Sequence, residues 1–591
     1  MDKKLQELIL QAEKPARYTG GEPNQPTIVG QGVRVCMCMP DLYEVGMSNL
    51  GLKILYHRIN DLPNAECERC FAPADDFGKI LKENDYPLFS LESSTPLKDF
   101  DLVGFSVQFE LLYSNVLYML DLARIPFRAA DRDSGYPILM AGGPCSVNPE
   151  PFADFFDMIN IGEGEDMMKE IVDLYEKHKK KGFDKKAFLK DAQSITGVYV
   201  PSLNTLEKRK TVRKAFVADF DKCYYPTKQI LPNIEAVHDR TMVELYRGCA
   251  NGCRFCQAGF WYRPIRYRSV KTVLDLCEET VKQTGFEELS LGSLSTGDYP
   301  GIYDLIPALK PCSEKYRVNF ALPSLRLDTF KGEFSQESRK SSLTFAPEAG
   351  TQRLRDVINK NVTDEDIMRS VEYAFSSGYQ SIKLYFMLGL PTETQEDLDG
   401  IVTICRKIKY KYREMHGGKG APNISVSCAV FVPKPFTPFQ WAEQITPEQM
   451  KEKQRYLLGE LKKVRCVDFK YHDNTTSQVE GVFARGDRKL SRVIERAYRA
   501  GAKMDGWTEF FKYDVWMQAL ADEGLKPEDY TRAWNLDEPL PWSFIDSGVT
   551  EKYFKREKEL SDKGIPTESC NKGCKGCGSK KLCACNEWSD K

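Results

Sequence analysis

Three cysteines near the middle of the chain constrain its fold and its chemistry more than any other feature. Cys249, Cys253 and Cys256 are separated by three and two residues, and a strand-like run from Met242 to Tyr246 leads into them. Structural zinc takes four ligands, and no histidine lies inside this stretch to supply the fourth. Thiolates suit iron-sulfur clusters, and three of them leave one iron of a cubane open to a non-protein ligand. The spacing therefore predicts a metal centre with an open position.

The stretch MVELYRGCANGCRFCQAGF resembles the cluster loop of the radical S-adenosylmethionine (SAM) enzymes, which have an aromatic residue, here Phe255, before the third cysteine. The resemblance implies a 4Fe-4S cluster on Cys249, Cys253 and Cys256, SAM on the open iron, and a 5'-deoxyadenosyl radical from its cleavage. A small flavodoxin-type or ferredoxin-type protein would donate the electron. The alternative is a zinc knuckle whose fourth ligand is remote in the sequence.

Size, charge and cysteine content narrow the class of protein. A chain of 591 residues is expected to form about three or four domains. The 83 Lys and Arg against 85 Asp and Glu give a net charge of -2, so no global attraction to nucleic acid or anionic membrane is expected. The 19 cysteines lie in a large chain at metal-like spacings, which indicates a reducing, cytoplasmic protein. No apolar run is long enough to predict a membrane span.

Strands alternate with helical segments from residue 31 to 178, after a lead-in over residues 1–30. This alternation predicts an α/β domain with a doubly wound parallel sheet. Ligands of such sheets lie at the carboxyl ends of the strands, so the residues that follow the strands are candidates for cofactor binding. These candidates are Asp41, Tyr43, Gly46, Ser106, Gly142 and Gly143.

The layout resembles the cobalamin-binding domain that precedes the radical domain in one branch of the superfamily. Where such a domain places a histidine beneath the cobalt, that residue lies in Asp-x-His-x-x-Gly after the first strand. Here Tyr43 occupies the histidine position, between Asp41 and Gly46. The resemblance implies either a cobalamin held without a protein imidazole or a domain that has kept its shape without the cofactor. Tight turns are a further explanation for the glycines.

A Lys-rich linker is expected over residues 179–240, followed by the core over residues 241–440. Six strand-like segments with helices between them fit an open (β/α)6 barrel such as the superfamily uses. Helical spacing after the cysteines predicts a helix that Ser269 caps and Gly285 ends. Functional side chains should lie at the carboxyl ends of the barrel strands.

Polar turns follow the second to fifth strands of this predicted barrel. The candidate SAM-binding residues are Thr296, Gly297, Asp298, Ser324, Arg326, Glu348 and Gly389. The turn ending at Asp298 departs from the Gly-Gly-Glu-like pattern of the family. Glu348 is the best candidate to bind the SAM ribose or amine, and its alternative is a carboxylate at a helix start. Gly389 matches the turn that borders adenine in relatives, and is equally explained as a turn glycine.

A mixed α+β region is predicted over residues 441–569, followed by a Cys-rich tail over residues 570–591. In the tail, Cys570, Cys574 and Cys577 repeat the spacing of the core array, and Cys583 and Cys585 follow. Four thiols would complete either a zinc site or a second iron-sulfur cluster. From about residue 30 onward the chain resembles a bacterial family of cobalamin-domain radical SAM proteins that end in such a tail.

Two hypotheses of function follow. In the first, the chain is a radical SAM enzyme, and cobalamin-assisted transfer of a methyl or other group to an unactivated carbon is one form of its reaction. In the second, it is a non-catalytic, metal-binding adaptor for RNA or ribosomes. The residues do not identify the substrate, for which RNA and protein are both candidates.

Overall fold

The computed structural model describes residues 1–205, 209–321 and 343–582. Within these ranges no helix combines the length and the apolar character that crossing a bilayer requires. The predicted positions Ser324, Arg326, Cys583 and Cys585 lie outside the described residues.

The N-terminal domain is a sheet with helices on both faces, as the alternating pattern predicts. Its strands are β1 (Val33–Met39), β2 (Ala65–Phe71), β3 (Leu102–Ser106), β4 (Ile138–Gly142), β5 (Met158–Asn160) and β6 (Val198–Tyr199). Its helices are α1 (Lys3–Ile9), α2 (Tyr43–Gly46), α3 (Leu50–Asn60), α4 (Asp75–Glu83), α5 (Tyr113–Leu122), α6 (Glu165–Lys179) and α7 (Lys185–Ala192). The central strands read as continuous apolar runs because both of their faces are covered.

The spatial order of the strands is β2-β1-β3-β4-β5-β6. Strands β1 to β5 are parallel, and β6 pairs antiparallel with β5. The chain reverses its direction of winding between β1 and β3, which opens a crevice at their carboxyl ends. Helix α7 and strand β6 continue this fold beyond residue 178, where the sequence pattern places its end, and a two-residue strand such as β6 has no detectable periodicity.

The core contains parallel strands joined by helices. Its strands are β8 (Thr241–Glu244), β11 (Glu288–Gly292), β12 (Asn319–Ala321), β13 (Leu343–Glu348), β14 (Ser381–Leu388) and β15 (Asn423–Val430), and β7 (Val212–Arg213) precedes them. A short antiparallel ribbon of β9 (Tyr246–Arg247) and β10 (Arg266–Tyr267) flanks the three cysteines. The helices are α8 (Gln257–Trp261), α9 (Val270–Thr284), α10 (Ile302–Tyr316), α11 (Gln352–Val357), α12 (Asp364–Ser376) and α13 (Gln395–Met415).

These strands form two parallel sheets in chain order. One has the order β12-β11-β8, and the other has β13 to β15 followed by a seventh strand, β16 (Val467–Tyr471). All six predicted strands are present, and the α/β fold class is confirmed. The predicted helix is confirmed as well: Ser269 accepts a hydrogen bond from the Thr272 amide at 3.2 Å, and Gly285 ends α9 in the left-handed conformation.

The C-terminal region is mainly helical and packs against both other parts of the chain. Its helices are α14 (Pro447–Lys462), α15 (Asn474–Ala484), α16 (Leu490–Arg499), α17 (Tyr513–Asp522), α18 (Pro527–Thr531) and α19 (Glu551–Asp562). Strand β17 (Ile545–Asp546) pairs with β7, so the chain returns to the domain interface before the tail begins.

Candidate active site between the N-terminal domain and the core

The segment from Gly248 to Cys256, here named the cluster loop, connects β9 to α8. Gly248 has φ +95°, and a Cβ atom there would lie 2.8 Å from the Tyr262 carbonyl oxygen, so only glycine fits this turn. Cys256 is the N-cap of α8, and its thiol accepts a hydrogen bond from the Gly259 amide at 3.4 Å. The backbone of α8 thus orients the sulfur of Cys256.

The three thiols of the cluster loop are half-buried and lie close enough to influence one another. Burial, together with the neighbouring Cys253 and Cys249 thiols, raises the pKa of Cys256 to about 12. In the parts of the chain that the structure describes, no three His, Cys, Asp or Glu side chains converge tightly enough to hold a single metal ion. The sulfur ligands of a cubane bind separate irons and stand farther apart than ligands of one ion. Three soft thiolates on a water-accessible loop fit such a cluster.

Arg254, between the second and third cysteines, fixes the cluster loop to the rest of the core. Its side chain is fully buried and forms an ion pair of 3.2 Å with Glu557 of α19. The guanidinium also donates to the carbonyl oxygens of Val357 at 3.0 Å and Ile565 at 2.7 Å. Its backbone amide bonds to the Ile358 carbonyl at 2.9 Å. No local sequence pattern indicated this anchor, since its partners come from distant segments.

The predicted turn after the second strand reaches the cluster loop. Asn251 donates a hydrogen bond to the Asp298 carboxylate at 2.9 Å, and its amide nitrogen lies 3.8 Å from the Cys249 sulfur. Thr296 is fully buried, with its hydroxyl 3.1 Å from that of Ser293, so it stabilises the turn. Asp298 therefore lies beside the first cysteine, whereas Thr296 supports the turn from within.

Glu348 ends β13 with φ +68°, an unusual backbone conformation for this residue type. It forms an ion pair with Lys360 at 3.1 Å, and both side chains are largely buried. The charge of Lys360 also acts on Cys256, which places the pair beside the cluster loop. Gly389 has φ +81°, and its amide donates to Glu393 at 3.1 Å, while a Cβ there would meet the Ile445 side chain at 3.0 Å. Packing therefore accounts for the glycine at 389.

A cavity of about 500 Å³ lies between the N-terminal domain and the core. Ser106, Gln108, Gly143 and the turn 162–165 line it from the carboxyl ends of β3, β4 and β5. From the core it is lined mainly by Met242, Glu244, Arg247, Gly248, Trp261 and Gly292. The crevice of the doubly wound sheet thus opens onto the residues that precede the first cysteine of the cluster loop.

The six candidates in the N-terminal domain divide into two groups. Ser106 and Gly143 line the cavity, and Gly142 ends β4 beside them. The others make protein contacts: Asp41 accepts from the Trp507 indole at 3.1 Å, and the Tyr43 hydroxyl lies 3.2 Å from a Glu22 oxygen. A Cβ at Gly46 would meet the Phe71 ring at 2.0 Å. Gly143 is itself required by its φ of +97° and by the Val107 carbonyl 2.7 Å from its would-be Cβ.

Ion pairs across the cavity wall join the two domains. Arg266 binds Glu163 through both carboxylate oxygens at 2.7 and 2.8 Å, and Arg247 pairs with Glu165 at 2.7 Å and Glu244 at 2.8 Å. Although burial opposes ionisation, the Arg266 guanidinium holds the pKa of Glu163 below its usual range. The sequence contains an acidic turn in one domain and arginines in the other, but no local pattern indicates that they form ion pairs.

The tail cysteines lie against the cluster loop. The Cys570 amide donates to the Ala250 carbonyl at 2.9 Å. Cys577 is buried, Cys570 is half-buried and Cys574 is exposed. Although burial would raise it, the Arg263 guanidinium and a hydrogen bond with Ser579 lower the pKa of the Cys577 thiol. The core and tail cysteine arrays therefore meet at one place.

Two family models match the chain. That of the radical SAM proteins' N-terminal domain covers residues 51–201, and that of the radical SAM superfamily covers residues 243–404. The first match contains the strand ends that line the cavity, and the second contains the cluster loop.

The chain is also similar to individual proteins. An uncharacterized protein of Methanocaldococcus jannaschii is 26% identical over 83% of this chain and 97% of its own length. The ribosomal protein uS12 methylthiotransferase RimO of Treponema denticola is 22% identical over 29% of this chain and 42% of that protein. The radical SAM methyltransferase TsrM of Kitasatospora setae, solved with cobalamin and a 4Fe-4S cluster, is 12% identical, covers 90% of this chain and 99% of that chain, and has a TM-score of 0.37. That score is too low for the likeness to carry an argument.

Proposed function

Because the chain belongs to the radical SAM superfamily, we propose that it is a group-transfer enzyme that works in the cavity shared by its N-terminal domain and its core. The cofactors of the core are a 4Fe-4S cluster and SAM. When bound, they supply a 5'-deoxyadenosyl radical that removes hydrogen from an unreactive carbon. The protein's own part is to hold, orient and shield these groups.

The shared cavity is the observation that carries this proposal. Its volume of about 500 Å³ lies in the range of pockets that enclose small molecules. A crevice at the carboxyl ends of parallel strands is where doubly wound domains bind ligands. The same space reaches Arg247 and Gly248, next to Cys249. A ligand of the N-terminal domain would therefore face the site where the radical forms.

The residues beside the cluster loop have distinct roles in this proposal. Cys249, Cys253 and Cys256 would hold three irons of the cluster. The Lys360 ammonium and the Glu348 carboxylate, paired beside Cys256, offer a cation to the SAM carboxylate and an acceptor to its ribose hydroxyls. Asn251, bonded to Asp298, orients the loop at the first cysteine.

The ligand of the N-terminal half of the cavity is proposed to be cobalamin, which would supply the transferred methyl group. Ser106 and Gln108, whose side chains bond each other at 2.7 Å, offer a hydroxyl and an amide to the polar rim of a corrinoid. The cavity's lining, as far as the structure describes it, includes no histidine. Tyr43, at the position of the histidine in related domains, is held by Glu22. These residues fit a corrinoid that is bound without a protein imidazole.

The test begins with anaerobic reconstitution of the full chain with iron, sulfide and hydroxocobalamin. The wild type should bind both cofactors, as its absorption spectrum will report, and should form 5'-deoxyadenosine from SAM. Cys256→Ala should abolish 5'-deoxyadenosine and keep the corrinoid. Ser106→Trp, which fills the cavity, should lose the corrinoid and keep the iron, whereas Ser376→Trp on the exposed side of α12 should change neither.

Three results would count against the proposal. A reduced and fully loaded cluster that forms no 5'-deoxyadenosine would remove the enzymatic assignment. Stoichiometric zinc in place of iron, together with salt-sensitive RNA binding, would support the adaptor hypothesis. Corrinoid binding that survives Ser106→Trp would show that this cofactor binds outside the shared cavity.

A further inference from the structure

The tail folds in a way that suits metal ligation. Cys570 begins a short 3-10 turn, and Gly573 and Gly576 follow with φ of +115° and +73°. No atom would crowd a Cβ at Gly573, so glycine is required there for its backbone angle alone. The Gly576 amide donates to the Cys574 sulfur at 3.5 Å. An amide that points at a thiol two residues earlier stabilises sulfur in its charged, metal-binding form.

A buried positive charge next to the tail lacks a carboxylate partner. Arg263 is 2% exposed, and its guanidinium acts electrostatically on both Cys570 and Cys577. Within the described ranges no Asp or Glu lies at ion-pair distance from it, and its Nη1 makes no hydrogen bond. Its guanidinium donates to the Gly259 carbonyl oxygen at 3.2 Å and lies over the Phe260 ring, but neither contact supplies a counter-charge, and burying a cation without one is costly. Thiolates that ligate a metal would supply the missing negative charge.

The tail is docked on the cluster loop by several contacts. The Ala250 carbonyl accepts from the Cys570 amide at 2.9 Å, and the Asn251 carbonyl accepts from Arg263 at 3.3 Å. Asn359 ties the approaching segment to the same loop, because its side chain donates to the Gly252 carbonyl at 2.9 Å and accepts from the Thr567 amide at 2.7 Å. The two cysteine arrays are therefore neighbours in space although 314 residues separate Cys256 from Cys570.

We propose that Cys570, Cys574 and Cys577 hold a second iron-sulfur cluster, which passes electrons to the cluster on the core cysteines. Only the second clause rests on the proposed function. A reduced ferredoxin-type donor loses one electron, the core cluster gains one, and the tail cluster returns to its starting oxidation state. Cys574 is exposed, so the donor can approach this cluster, and the exposed Lys580 and Lys581 would attract an acidic donor protein.

Iron and sulfide content tests the site itself. After anaerobic reconstitution the wild type should hold two clusters, about eight irons per chain. The triple variant Cys249→Ala, Cys253→Ala, Cys256→Ala should keep about four irons, about four sulfides and the electron paramagnetic resonance signal of a reduced cluster. The tail triple variant Cys570→Ala, Cys574→Ala, Cys577→Ala should also keep about four irons. Cys312→Ala with Cys466→Ala, at half-buried cysteines of neither array, is the matched control and should keep all of them.

The metal count can also refute the proposal. No iron in the core variant, an unchanged iron count in the tail variant, or one zinc per chain at the tail would overturn it. These counts do not depend on catalysis, so they hold whether or not the wild type forms 5'-deoxyadenosine.

Electron delivery is tested with two reductants. With reduced ferredoxin, the tail variant should form 5'-deoxyadenosine at least about tenfold more slowly than the wild type, a change of about 1.4 kcal/mol in the barrier. With dithionite, which reaches the core cluster directly, both should react within about twofold of each other, a difference below about 0.5 kcal/mol. Equal rates with ferredoxin would refute the electron route.

Discussion

Removing the negative charge of Glu557 should loosen the cluster loop. Arg254 and Glu557 are 0% and 1% exposed, so the pair is fully buried. Glu557→Gln keeps the shape and an acceptor for Arg254 and for the Thr567 hydroxyl, which now bonds Glu557 at 2.9 Å. The guanidinium, however, would remain buried without its counter-charge.

The structure sets the size of this effect. Breaking a buried ion pair by removing one partner costs about 3–5 kcal/mol. Arg254 retains hydrogen bonds to three backbone carbonyls, at 3.2, 3.0 and 2.7 Å, so we expect the lower end of that range. At about 1.4 kcal/mol per factor of ten, a loss of about 3 kcal/mol increases the open population of the loop about 100-fold.

Hydrogen exchange of the anaerobically loaded protein measures this opening. The Arg254 amide bonds to Ile358 at 2.9 Å and the Cys256 amide to Cys253 at 3.0 Å, so peptides that span the loop report on it. Asp562→Asn is the matched control, because it removes an exposed pair with Lys558 on the same helix and should cost less than about 1 kcal/mol. Exchange in Glu557→Gln within twofold of that control would refute the reasoning.

Three further outcomes are expected. Glu348→Gln should weaken SAM binding about tenfold, or about 1.4 kcal/mol, because a charged hydrogen-bond acceptor is lost; an unchanged Kd in equilibrium dialysis would remove Glu348 from the site. Because the pKa of Glu163 is lowered in the folded protein, its ionised carboxylate stabilises the fold above the unfolded glutamate pKa of about 4.3. This stabilisation is lost as the pH falls further, so acid should open the interface with Arg266. Hydrogen exchange at residues 162–165 should show this step in the wild type, and its persistence in Glu163→Gln would contradict the assignment. Asn251→Leu leaves Asp298 without its donor at a cost of about 1–3 kcal/mol, so a chelator should remove iron faster than from the wild type, and an equal rate would show that the contact does not hold the loop.

Local patterns in the sequence were sufficient to predict helix α9 and the alternation of strands and helices in both domains. Ser269 caps the helix because its hydroxyl reaches an amide three residues ahead, and Gly285 ends it because glycine tolerates a positive φ. The three cysteines of the cluster loop are likewise a local signal, since their spacing already limits which metal centre they can hold. Such features depend on neighbours within one turn, which the sequence displays directly.

Packing between distant segments determined which partners the site residues contact. Asp41, a candidate for cofactor binding, bonds Trp507, which is 466 residues away. Arg254 and Glu557, 303 residues apart, and Arg266 and Glu163, 103 residues apart, gave no signal of their pairing. A charged residue has the same local pattern whether it faces solvent or a partner.

The sequence by itself determined the chemistry that this protein can support: three thiols for a cluster, a second array of the same spacing, and a doubly wound domain before the core. Only the tertiary structure decided that the strand ends of that domain open onto the residues before the first core cysteine and that the tail contacts the cluster loop. The physical reason is that ligand type and backbone conformation are local properties. Cavities and ion pairs between domains, in contrast, form only when surfaces from distant parts of the chain pack together.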